Sequence, residues 1–154
     1  FTAQVNYGGI ISPFNAWLIN RGTVTLPLRM KQHNASAQAI AEHLERIDAV
    51  RFVSYPGLES HPGHTVATSQ KAHPAAGYGG VLAFGLNTDH VITSAVSLGL
   101  DESLIVFLGE DDERQYLYPQ EFHQGFFRLA VGLEDTDDLI RDIDHALTEA
   151  GLME

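Results

Sequence analysis

Arg128 is the residue of this sequence with the most definite chemistry, because it interrupts the apolar run Phe126-Phe127-Arg128-Leu129-Ala130-Val131. An unpaired guanidinium among such neighbours would cost several kcal/mol, so it must meet an anion. That anion is either a protein carboxylate, with Glu121 and Glu134 as the candidates, or the carboxylate of a ligand. A planar guanidinium grips a carboxylate through two parallel hydrogen bonds. Ser97 follows an apolar run and opens Ser97-Leu98-Gly99, so it can present its hydroxyl and backbone at a strand end. No histidine or acid is fixed beside it to make it a nucleophile, and it reads as a turn serine. Of the eight histidines, His61 and His64 lie three apart, but Pro62-Gly63 between them forbids a shared helical face. Zinc needs three or four convergent ligands, so these read as loop histidines and no metal is expected. Glu110-Asp111-Asp112-Glu113 lacks the alternating oxygens and central glycine of a calcium loop and reads as a solvated charge run. Gly8-Gly9 reads as a turn before a helix, with a backbone cradle for phosphate as its other use.

The elements that must position these residues are legible in outline. Ser12-Pro13 predicts an N-cap and first-turn proline, with Phe14, Trp17 and Leu18 on one face of a short helix that ends or bends at Arg21-Gly22. Leu26, Met30, Ala37, Ile40, Ala41, Leu44 and Ile47 keep helical spacing and predict a long helix from Thr25 to about Arg46, with Pro27 tolerable only in its first turn. Val50 to Tyr55, Gly80 to Leu86, Val91 to Val96 and Ser103 to Leu108 read as strands. Phe126 to Val131 is apolar on both faces and predicts a central strand. Asp135 or Thr136 caps a last helix with Asp137 and Asp138 at its positive end, Gly151 behind it, and a stripe of Leu139, Ile140, Ile143, Ala146 and Leu147. Together these predict an α+β domain, a short sheet with helices packed on one side.

Composition narrows the function. The chain has 154 residues, no cysteine, and a net charge of -11 from 20 acidic and 9 basic side chains. It can form no disulfide framework and no thiolate metal site. So acidic a chain argues against binding a phosphate backbone, and no apolar run approaches the ~20 residues of a membrane span. No nucleic acid and no membrane are expected as partners, and a cytoplasmic setting is. The first residue, Phe1, suggests a chain that starts inside a longer protein.

The order of motifs carries more than any one of them. Ile11-Ser12-Pro13-Phe14-Asn15-Ala16-Trp17-Leu18-Ile19 precedes Arg21-Gly22, Thr25-Leu26 and Arg29-Met30. Tyr55-Pro56-Gly57-Leu58, His61-Pro62-Gly63-His64 and Gly79-Gly80-Val81-Leu82-Ala83-Phe84 follow. Ser97-Leu98-Gly99, Glu102-Ser103-Leu104-Ile105, Arg128 to Asp135 and Asp138-Leu139-Ile140 complete the set. From about residue 8 to residue 147 this order closely resembles the C-terminal domain of the pyridoxal-phosphate-dependent enzymes of Cys/Met metabolism. That family includes cystathionine γ-synthase, cystathionine β- and γ-lyases and methionine γ-lyase.

The resemblance implies the small C-terminal domain of a fold-type-I pyridoxal-phosphate transferase. Residues 12–154 would form the α+β unit, and residues 1–11 would contact a missing domain of the same protein that binds pyridoxal 5'-phosphate. It implies that Arg128 holds the α-carboxylate of an amino-acid substrate, with Ser97 helping and Val96 and Leu98 beside it. It also implies a homo-oligomer, since the family is usually tetrameric. Without substrate, the Arg128 head would be exposed or would borrow a carboxylate such as Glu134. Departures from the family pattern are specific. Ala130 replaces the usual serine of Arg-Leu-Ser-Val-Gly, and Val106 to Glu110 replaces a His-Pro-x-x-Met-Thr-His segment. Only ten residues separate Phe84 from Ala95, where the family has an extra helix. The Ser-x-Thr-Lys motif of the cofactor lysine is absent, and the only lysines are Lys31 and Lys71. This chain alone is therefore expected to be inactive, with no catalytic residue of its own. The competing reading is a non-catalytic interaction domain with the same fold.

Overall fold

A computed structural model of the chain describes residues 9–73, 76–87, 101–108, 113 and 115–153. Helices begin where the sequence supplies caps. Ser12 Oγ accepts the Asn15 N–H at 3.2 Å, Pro13 stands in the first turn, and α1 runs Pro13–Thr23. The break expected near Arg21-Gly22 is closed by Arg29, whose Nη2 donates to the Gly22 carbonyl at 3.0 Å and whose Nε donates to Thr25 Oγ1 at 3.2 Å. Helix α2 then spans Leu26–Leu44 with Pro27 in its first turn, where no backbone donor is lost. The last helix, α4, spans Thr136–Glu149. Asp135 caps it by accepting from the N–H groups of Asp137 and Asp138 at 3.0 and 3.2 Å. The other candidate cap, Thr136, instead meets Ser36 Oγ of α2 at 2.8 Å and ties the two helices together.

Four strands, β1 Val50–Ser54, β2 Val81–Leu86, β3 Leu104–Leu108 and β4 Phe126–Ala130, form an antiparallel sheet in the order β1-β2-β4-β3. The short helix α3, His64–Ser69, lies in the connection from β1 to β2. Two 3₁₀ turns, Gln115–Leu117 and Gln120–Phe122, precede β4. Strand β4 has neighbours on both sides, which is why its apolar residues can be buried on both faces. The strand expected over residues 91–96 lies outside the described residues, and so do Val96, Ser97 and Leu98.

Register decides what faces what. Leu82, Leu129 and Ile105 share one row, and Phe84, Phe127 and Phe107 share the next but one. These side chains meet Ala37, Ile40, Ala41 and Leu44 of α2 and Leu147 of α4 in one core, so the helices cover a single face of the sheet, as the α+β reading expects. Phe127 lies at its centre, with ring centroids 5.3 Å from Phe84 and 5.0 Å from Phe107. Polar staples cross the same layer. His33 Nδ1 donates to the Val131 carbonyl at 2.7 Å, and His43 Nε2 meets Asp144 at 2.6 Å between α2 and α4. The row between the two core rows, Ala83, Arg128 and Val106, faces the other way.

Tyr55 follows β1, is fully buried, and donates its hydroxyl to the Gly79 carbonyl at 2.9 Å. Burial, with a smaller contribution from Tyr78, pushes its phenol from 10.0 up to about 12. The unfolded chain therefore releases this proton near pH 10 while the folded chain keeps it, so folding stability falls as pH rises from 10 toward 12. In denaturant titrations at pH 9, 10 and 11, Tyr55→Phe is expected to flatten that fall. An unchanged slope would show that Tyr55 titrates normally in the fold.

Candidate functional site

The face of the sheet opposite α2 and α4 carries an open cavity of about 920 Å³. Arg128 lines it from the middle of β4, with Ala83, Val81 and Ser54 beside it on β2 and β1 and Phe126 two residues away on its own strand. The Arg128 side chain is half-buried rather than exposed, and its Nε is buried. The sheet thus supplies a largely apolar floor, and a guanidinium placed on it, as Arg128 is, can bind an anion through charge-assisted hydrogen bonds. Tyr118, Phe122 and Phe126 form an aromatic wall, with Phe122 and Phe126 edge to face at 4.7 Å and Tyr118 and Phe126 at 5.3 Å.

Glu134, one of the two carboxylates considered for Arg128, has other work. Its Oε1 accepts the Ser103 N–H at 2.6 Å and its Oε2 accepts the Ser103 hydroxyl at 3.0 Å. Ser103 Oγ in turn accepts the Gly132 N–H at 2.8 Å, and the Leu133 N–H reaches the Asp101 carbonyl at 2.7 Å. This knot joins the entry to β3 with the exit from β4. Gly132 is required there because a Cβ would collide with Glu134 Oε2 and with the backbone of Asp101 and Glu102.

The histidines flagged by spacing have local roles. The Gly63 N–H donates to His61 Nδ1 at 3.0 Å, and His64 Nδ1 donates to the Pro56 carbonyl at 2.9 Å. Among the described residues no three metal-ligating side chains converge. The run Glu110-Asp111-Asp112 and the glycine Gly8 lie outside the described residues.

A cofactor held through a lysine at a site built round Arg128 would need that lysine to line the same cavity. Neither lysine of this chain lines the Arg128 cavity. Lys31 is exposed on α2, and Lys71 places its ammonium over the Tyr78 ring, 4.3 Å from the centroid. A hydrogen bond with Thr68, aided by Lys71, lowers the Tyr78 phenol below its ordinary value. The residues described here therefore do not fit as the holder of pyridoxal phosphate. They fit as one wall of a site.

One residue of that wall escaped the sequence reading. Strict alternation in Val50-Arg51-Phe52-Val53 sets Arg51 and Phe52 on opposite faces, yet both lie against Gly85 and both line the cavity. The cause is a register shift between Val50 and Phe52. A lone arginine in a short β-rich run was the only signal, and it does not reveal a bulge.

Comparison with known proteins agrees with the motif order. The family model described as Cys/Met metabolism PLP-dependent enzyme matches residues 1–148. A canavanine gamma-lyase of Pseudomonas canavaninivorans is 50% identical over 160 residues, covering 96% of this chain and 40% of that protein. An L-methionine gamma-lyase of Pseudomonas putida is 39% identical, covering 91% of this chain and 38% of that protein. Among solved structures, cystathionine gamma-lyase from yeast superposes with a TM-score of 0.77 at 35% identity, over 94% of this chain and 40% of that one. The chain spans about 40% of the length of these relatives. The sheet with helices on one face, the ordered motifs and the match over residues 1–148 place this chain in the Cys/Met metabolism family of PLP-dependent enzymes.

Proposed function

We propose that this chain is the C-terminal, substrate-carboxylate-binding domain of a PLP-dependent trans-sulfuration-type enzyme. The whole enzyme acts by β- or γ-elimination or γ-replacement on sulfur amino acids or activated homoserine, and the 50% identity to a canavanine gamma-lyase favours γ-elimination. The observation that carries the reading is Arg128, a guanidinium lining a cavity on the sheet face opposite α2 and α4. Pyridoxal phosphate, held by the domain that supplies the lysine, would provide the electron sink. This chain supplies the wall that binds and orients the amino acid. Arg128 grips its α-carboxylate, Ser97 assists at the same group, and Val96 and Leu98 shape the surroundings. An apolar Val96 suits an uncharged side chain better than a charged distal head, which would need a polar partner. The acidic, cysteine-free composition is in keeping with a cytoplasmic enzyme.

The parent reading frame tests the reading against its rival. An upstream Ser-x-Thr-Lys domain supports the enzyme, and an intact gene opening near Phe1 leaves only the non-catalytic interaction domain. A second test uses the chain itself. Incubated with pyridoxal phosphate, it is expected to give no saturable visible band of a lysine-bound cofactor, because Lys71 is engaged with Tyr78 and Lys31 is exposed on a helix surface. A band abolished by replacing Lys71 would refute this.

The exposed face of α1 supports the proposed docking to the cofactor domain and to other copies. No residue of α1 is buried, and Phe14, Trp17 and Ile19 are 65%, 54% and 56% exposed. Adjoining apolar groups of that size on a surface seek a partner. The isolated chain is expected to self-associate in sedimentation at high concentration, and Trp17→Glu to reduce it. A strict monomer would count against the docking role.

A further inference from the structure

Arg51 belongs to no motif of the sequence, and its guanidinium helps to build the wall of the Arg128 cavity. Val50 pairs with Leu86 and Phe52 with Gly85, which leaves Arg51 as the extra residue of a bulge. A bulge re-aims the side chains it carries. A Cβ on Gly85 would lie 2.5 Å from the Phe52 ring and 2.8 Å from Arg51 Nη2, so only glycine lets the guanidinium cross β2 flat on the sheet. From that position Nη1 donates to the Leu86 carbonyl at 2.8 Å. Nη2 donates to the Gly125 carbonyl at 2.9 Å and, at a longer 3.4 Å, to the Glu121 carbonyl. The Arg51 Nε is buried and has no hydrogen-bond partner among the described residues. This head is occupied by backbone oxygens and shut away at Nε, so it is not a second fork for a ligand. The guanidinium is half-buried and, among the described residues, is held by these carbonyls and by the Phe52 ring, whose centroid lies 5.5 Å from its Cζ.

What the three carbonyls share is their place. They belong to the end of β2 and to the turn that delivers the chain into β4, three residues ahead of Arg128. The ring of Phe52 extends the same clasp, with its centroid 4.5 Å from Phe122. We propose that Arg51 is a positioning residue for substrate binding. It fastens the turn before β4, and so holds Arg128 and the aromatic wall at the geometry that receives an amino-acid carboxylate. The proposal rests on the reading of Arg128 as that carboxylate's anchor. Misplacing an anchor by a fraction of its reach weakens binding without unfolding the protein.

The test uses the complete holoenzyme with its amino-acid substrate and three variants. Arg51→Met keeps the stem and removes donors and charge, Arg51→Lys keeps the charge, and Arg128→Lys alters the anchor. Arg51→Met is expected to raise KM about fivefold with kcat within about twofold of the parent. Amide hydrogen exchange of Phe126 to Arg128 should quicken in the same variant. Arg51→Lys is expected to raise KM about threefold or more, since one ammonium cannot span carbonyls on two segments. It carries the test alone should the methionine variant not fold. Parent-like KM in Arg51→Lys, or a lowered kcat with KM unchanged, would overturn the positioning role and leave Arg51 as charge or scaffold only. If KM responds to Arg128→Lys but to neither Arg51 variant, this proposal fails alone. If Arg128→Lys leaves KM unchanged, the carboxylate reading fails, and this proposal fails with it.

Discussion

Replacing Arg128 with lysine in the complete enzyme is expected to weaken amino-acid binding at least tenfold, about 1.4 kcal/mol, with little effect on folding. The size follows from geometry. Two charge-assisted hydrogen bonds, each worth roughly 1.5–3 kcal/mol, are replaced by one flexible point charge that cannot match both oxygens. Folding is expected to be spared because the side chain faces the open cavity while the packed core lies across the sheet. Equilibrium binding of the amino acid and thermal melting of the same preparation check both halves. If Arg128→Lys unfolds the protein while the surviving fraction binds normally, Arg128 is a structural ion-pair residue and the anchor reading is lost.

The largest effect on stability is expected one residue earlier. Phe127→Ala should destabilise the protein by about 3–5 kcal/mol, the range for deleting a buried aromatic ring from a packed core. Phe127 is 1% exposed, is stacked between Phe84 and Phe107, and belongs to the strand with a neighbour on each side. Ile40 and Leu44 of α2, both fully buried, belong to the same core. Marginal stability of about 5–15 kcal/mol makes such a loss visible as a large fall in the denaturant midpoint. Leu82→Ala, in the same core but aliphatic, should cost less. Equal losses would mean that the rings contribute only area. The pair of adjacent substitutions thus separates the two faces of β4: Arg128 changes binding and Phe127 changes stability.

Local chemistry determined much of this protein. Ser12, Pro13, Pro27 and Asp135 mark helix starts because each satisfies or dispenses with a backbone donor that only a first turn leaves free. The two-sided apolar character of Phe126 to Ala130 marked a central strand, and Arg128 stood out within it because a cation among apolar neighbours demands an anion; it lines the cavity. The motif order marked the family. Tertiary structure alone decided the rest, through contacts between residues far apart in sequence. It gave Thr136 to Ser36 and left the cap to Asp135, and it gave Glu134 to Ser103. It left Phe14, Trp17 and Leu18, which helical spacing puts on one face of α1, 65%, 54% and 45% exposed. It also turned Arg51 onto the face of Phe52, since a bulge is set by the register of two paired strands and not by either strand alone. Alternation is a property of one chain segment, and the face that a residue occupies is a property of the pair.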